Sequence, residues 1–120
     1  MPKVPINLFD VKDSRVVDPA TYAIRFKSQK QETSKAGNEM TLFILEATEP
    51  GLEGVVFYDR VVHTPEAGWK WKQMYEATGV HFDASGFDTD DLIHAECKVT
   101  VDKEVYEGKE KNTVEAYLKM

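Results

Sequence analysis

The sequence of 120 residues has a single cysteine, Cys97. One thiol cannot close an internal disulfide, which removes the disulfide-scaffold class. Its place in the alternation Cys97, Val99, Val101 predicts a small buried side chain rather than a reactive one. Long apolar runs are absent too: nothing approaches the roughly 20 residues of a membrane span. The opening Met1-Pro2-Lys3-Val4-Pro5 has no apolar stretch of the secretory kind. A soluble, cytoplasmic protein without a membrane partner is expected. The usual catalytic signatures are missing, with no phosphate loop of the G-x-x-x-x-G-K-S/T form, no G-x-S-x-G elbow and no H-E-x-x-H pair. His63, His81 and His94 lack metal-ligand spacing. In Asp83-Ala84-Ser85-Gly86-Phe87-Asp88 the glycine comes too early for a calcium loop and the closing bidentate Glu is absent. The expectation is therefore no enzyme, no cofactor and no metal. Positive charge is scarce as well. Fifteen Lys and Arg face 21 Asp and Glu, a formal net charge of -6, which in sum is the wrong sign for a partner made of phosphates.

The distribution of charge is more informative than the sum. Residues 1–35 hold seven basic and four acidic side chains, residues 36–96 three and twelve, and residues 97–120 five of each. The acidic excess belongs to the middle of the chain. With 42% hydrophobic and 11% aromatic residues the sequence has enough apolar material for one packed core.

The stretch 1–19 lacks sustained periodicity and reads as an N-terminal arm, with one domain over 20–120. From Thr21, Tyr22, Ile24 and Phe26 alternate with Ala23, Arg25 and Lys27, a strand with one wet face. Thr33-Ser34-Lys35-Ala36-Gly37-Asn38 concentrates turn formers before an apolar strand over 40–48. A third strand over 55–62 is rich in β-branched and aromatic residues. Trp71, Met74, Tyr75 and Thr78 then recur at helical spacing, with Lys72 and Glu76 outside and Gly79 placed as a left-handed cap. Asp88 suits the cap of a short turn through Asp91. Alternation resumes over 93–106, Glu107-Gly108-Lys109 turns the chain, and Val114, Ala116 and Leu118 alternate with Thr113, Glu115 and Tyr117. The order βββ-α-ββ is that of a five-stranded OB-fold barrel, whose usual ligand surface is strands two and three with the loops joining strands one-two and four-five; other small five-strand barrels and meanders can thread the same elements.

On that layout the two hairpins flank one groove. Lys30, Lys35 and Asn38 surround the first, and Lys103, Tyr106, Lys109, Lys111 and Asn112 the last. Arg60 adds a cation on the third strand. Tyr58, Tyr106 and Tyr117 fall on outward phases, and Trp69 offers a further ring. Cations along a backbone with rings under the bases are how single strands are held; read one at a time, these side chains are ordinary solvated lysines and half-packed tyrosines. In the second strand Phe43 is expected inside. Met40, Leu42 and Ile44 are expected outside, as a base-contacting or self-association stripe. Trp71 is expected in the core.

Several motifs together resemble a family of small phage single-stranded-DNA-binding proteins from replication and recombination modules, long known only as an uncharacterised domain. They are Thr33-Ser34-Lys35-Ala36-Gly37-Asn38-Glu39-Met40, Trp69-Lys70-Trp71-Lys72-Gln73-Met74, Ala77-Thr78-Gly79-Val80, Asp90-Asp91-Leu92-Ile93, and Tyr106-Glu107-Gly108-Lys109-Glu110-Lys111-Asn112 with Val114, Tyr117 and Leu118. His94 stands where that family often has Gly. The resemblance implies an OB fold, non-catalytic binding of single-stranded DNA with little sequence preference, replication or recombination proteins as further partners, and action inside an infected bacterial cell. The alternative expectation is an OB-fold interaction module. It would dock a replication or recombination protein through the acidic middle and the second-strand stripe without touching DNA.

Overall fold

The computed structural model describes residues 16–83 and 85–120. The chain forms β1 (Ala20–Thr33), β2 (Glu39–Ala47), β3 (Val56–Val62), a 3-10 turn at Pro65–Ala67, and the helix α1 (Gly68–Thr78). A second 3-10 turn at Thr89–Leu92, β4 (Glu96–Tyr106) and β5 (Lys109–Leu118) complete it. The fold is mostly β, a five-stranded antiparallel sheet in the order β3-β2-β1-β4-β5, with the helix between β3 and β4 as the sequence order predicts. The sheet is not closed. Among the described residues no ladder joins β3 to β5, although these two edges lie alongside one another.

β1 is the hinge of the sheet. Its first residues, Ala20 to Arg25, pair with β4, and its length from Ile24 to Thr33 pairs with β2. Between Phe26 and Ser28 the register slips by one residue. Such a bulge reverses the inward and outward phases beyond it. Ile24 and Phe26 are fully buried before it. After it Ser28 faces the outward Ile44, and Lys30 faces Leu42. A second slip lies between Thr100 and Val101, whose partners Ala116 and Val114 leave Glu115 as the extra residue.

The second slip corrects an expectation. Unbroken alternation makes Val114, Ala116 and Leu118 one face and Tyr117 outward. Val114 and Tyr117 are the buried pair instead, at 9% and 2% exposure, while Leu118 is 42% exposed. Tyr117 stacks on Phe26, ring centroids 6.0 Å apart.

α1 closes the core with Trp71, Met74, Tyr75 and Ala77, and Trp71 donates its indole N–H to the Val62 carbonyl at 2.9 Å. Gly79 ends the helix at φ 77°, its N–H on the Tyr75 carbonyl, a conformation that costs a side-chain-bearing residue about 1–2 kcal/mol. Asp88 caps the second 3-10 turn by accepting from the Asp90 N–H at 2.9 Å. His94, at φ 74° and donating its N–H to the Phe26 carbonyl, occupies a left-handed position that glycine adopts more readily. Val17, within the stretch read as an arm, is buried. Its N–H and C=O are both taken by the Asn112 amide, at 2.9 and 2.8 Å. The rest of that arm, 1–15, lies outside the described residues.

Cys97 is fully buried in the core, and burial pushes its thiol up to about 12. Since the thiolate is the reactive species, native protein at pH 8 is expected to resist iodoacetamide over times in which urea-unfolded protein is fully alkylated. Mass spectrometry reads the difference directly.

Candidate functional site

The pairings across β1, β2 and β3 define one outer face in rows. Ser28, Ile44 and Tyr58 form one row; Lys30, Leu42 and Arg60 the next; Glu32, Met40 and Val62 the third. The bulge at Lys27 brings Lys30 here, for without it Lys30 would share the phase of Phe26 and point inward. Tyr58 is 51% exposed. Arg60 pairs with Glu32 at 2.9 Å, and both side chains keep contact with solvent. Tyr58 lines two adjoining grooves. One, of about 780 Å³, runs past Lys27, Ser28 and Ile44; the other, of about 540 Å³, lies between β3 and β5 and takes in Arg60, Lys111 and Asn112.

The expected apolar stripe on β2 is mostly covered. Leu42 is buried at 8%, and Met40 and Ile44 are half-buried. Lys30 and Arg60 stand at the paired positions on either side of Leu42, close enough for their aliphatic stems to screen it. Phe43 is fully buried on the opposite face, as its phase predicts.

Other candidate residues are dispersed. Lys35 and Asn38 sit in the β1–β2 turn, where the Asn38 N–H and C=O are both held by Ser34. The β4–β5 hairpin pairs its own charges: Lys103 reaches Glu110 at 3.2 Å and Asp18 at 3.7 Å, and Lys111 reaches Glu104 at 3.3 Å. The Glu110 hydrogen bond holds the Lys103 ammonium above its ordinary range. Lys109 is exposed on the same hairpin. Asn112 spends its amide on Val17 and on the Asp102 carbonyl. The Tyr106 side chain lies outside the described residues. Trp69, 62% exposed at the start of α1, lines neither groove beside Tyr58. The structure therefore joins Lys30, Tyr58, Arg60 and Lys111, and leaves Trp69 apart.

One polar centre escaped the sequence reading. Asp59 points inward between Phe57 and Val61 and is 8% exposed. It accepts from Lys70 Nζ at 2.7 Å and from the Tyr117 hydroxyl at 2.5 Å. Gln73 of α1 accepts the Tyr117 N–H at 2.8 Å. β3, α1 and β5 are thus tied together where no ladder joins the strands. Burial raises the Asp59 carboxyl above 3.8, against the pull of Lys70 and then of Tyr117. The available signal was its phase, since Phe57, Asp59 and Val61 must share a face.

Among the described residues no group of three or more His, Cys, Asp and Glu side chains is arranged to hold a metal ion. No helix among them is long and apolar enough to cross a membrane. A family model described as a protein of unknown function, DUF669, matches residues 7–120. No curated protein matches the sequence.

Proposed function

This chain belongs to the DUF669 family of proteins of unknown function, and we propose that it is a non-catalytic single-stranded-DNA-binding protein of phage replication and recombination. In this reading the sheet is an OB-type barrel, and the outer face of β1, β2 and β3 holds the strand. The carrying observation is that a half-exposed ring, Tyr58, stands one row from two cations, Lys30 and Arg60, at the meeting of two grooves. A base stacks on such a ring whatever its identity, while the cations follow the phosphates. The strand order, with β3 beside β5 across the Asp59–Tyr117 hydrogen bond, supports the partly open barrel of that class.

Binding is weak in this reading, because the cations are few and Arg60 is shared with Glu32, and it falls with salt because those cations meet phosphates. Anisotropy of fluorescein-labelled oligo-dT, titrated with protein at several salt concentrations, tests it. The expected affinity falls by about 0.7 of a logarithmic step per phosphate contact for each tenfold rise in salt. No anisotropy rise at the lowest salt would overturn the proposal. Tryptophan emission reports this face poorly, since both indoles are on α1.

Glu32 competes with phosphate for Arg60. An exposed ion pair is worth about 0.2–1 kcal/mol, so Glu32→Gln is expected to tighten oligo-dT binding by up to about fivefold in the same assay.

A further inference from the structure

A third concavity, of about 810 Å³, lies between α1 and the turn that follows it, and shares no lining residue with the grooves beside Tyr58. Its floor is Trp71 and Tyr75. Asp83 and Gly86 exchange backbone hydrogen bonds at 3.2 and 3.1 Å, with Gly86 at φ 127°, a region essentially reserved for glycine. That tight turn sets Phe82 and Phe87 on its two sides. Phe87 lies 5.0 Å from both Trp71 and Tyr75, and Phe82 lies 6.1 Å from Tyr75. Phe82 and Phe87 nevertheless remain 38% and 48% exposed.

Two carboxylates, Asp83 and Asp88, line the concavity, with one cation, Lys72. Asp90 and Asp91 follow immediately and are exposed. Hydrogen bonds from Ser85 hold the Asp83 carboxyl below its ordinary range, so it stays charged. His63, also at the wall, is within hydrogen-bond distance of Thr41 at 2.7 Å and reaches Glu39 at 3.8 Å. Aromatic walls with a net negative lining disfavour phosphate and favour a cation carried on an apolar stem. Arginine suits both parts, since its guanidinium stacks on rings and bonds carboxylates.

We infer that this concavity docks a cationic, aliphatic segment of a partner protein, an arginine side chain entering between Phe82 and Phe87 and pairing with Asp83 and Asp88. The site is independent of the DNA face and stands or falls separately from it.

Trp71 in the floor makes the inference directly measurable. The Trp69→Phe protein retains Trp71 as its one indole and is titrated with a short peptide of alternating arginine and leucine. Saturable change in Trp71 emission is expected, with no change from the glutamate-leucine counterpart. In that background Phe87→Ser and Asp88→Asn are each expected to weaken the peptide about tenfold; asparagine keeps the capping role of Asp88. Asp83→Asn, on an exposed turn, is expected to weaken it as well. Three results overturn the inference: an unchanged Trp71 signal, equal peptide affinity in all three variants, or displacement of the peptide by oligo-dT. The last would make the concavity part of a nucleic-acid surface.

Discussion

Asp59→Ala is expected to lower the free energy of unfolding by about 3–5 kcal/mol, the usual cost of removing one partner from a buried charge pair. The loss falls toward the lower figure because the Lys70 side chain keeps 18% exposure and finds water. Tyr117 has no such escape: its hydroxyl is buried and aimed at Asp59. Tyr117→Phe is accordingly expected to cost about 1.5–3 kcal/mol, the range for a hydrogen bond to a charged group. Urea unfolding followed by circular dichroism measures both. An Asp59→Ala loss below about 1 kcal/mol, within the reach of an ordinary surface pair, would mean that β3 and β5 are not held through this contact. The same group shapes the pH dependence. Its folded carboxyl titrates above 3.8 because burial outweighs Lys70 and Tyr117, so the folded state takes up its proton more readily than the unfolded state. Its contribution is then largest below 3.8 and declines as pH rises from there through the raised folded value. Asp59→Asn is expected to lack that decline, which the difference between the two stability profiles isolates.

Tyr58→Ala is expected to weaken oligo-dT binding about 5- to 150-fold, corresponding to about 1–3 kcal/mol for one stacked base. Because the ring is half exposed and outside the core, stability should change by no more than about 0.5 kcal/mol. Binding and folding therefore separate cleanly in this variant. Arg60→Ala should also weaken binding, and in addition flatten the salt dependence by about 0.7 for the phosphate it no longer meets. Trp69→Ala is the internal control, with oligo-dT affinity unchanged because the indole lies on α1 and lines neither groove beside Tyr58. Labelled oligo-dT anisotropy at matched salt reads all three. If Trp69→Ala weakens binding as much as Tyr58→Ala, the strand does not run along the face proposed.

The contrast between Tyr58 and Tyr117 shows where reading the chain in isolation stops. Both sit in strands at positions that alternation marks as outward. Tyr58 keeps that phase, since β3 pairs with β2 without a slip. Tyr117 loses it, since Glu115 is inserted as an extra residue and the last part of β5 turns over. A bulge costs one residue of register and carries no reliable local mark. Lys30 changed sides for the same reason in β1, this time toward the surface where it meets Arg60.

Charge shows the same division. The lysines of the last hairpin are plain in the sequence, but Lys103 diagonal to Glu110 and Lys111 opposite Glu104 are cross-strand facts. They turn an apparent basic loop into a set of mutual pairs.

Local signals therefore determined the order of strands and helix, the buried face of α1 through Trp71, Met74 and Tyr75, the left-handed stop at Gly79 and the cap at Asp88. Each depends on spacing within a few residues, which propensity and periodicity encode directly. The tertiary structure alone decided which side of the sheet Lys30 and Tyr117 occupy, that Asp59 has two partners, and that Phe82 and Phe87 frame a concavity against α1. Those outcomes depend on register and on contacts between residues far apart in the chain, where the free energy is set by the partner rather than by the residue itself.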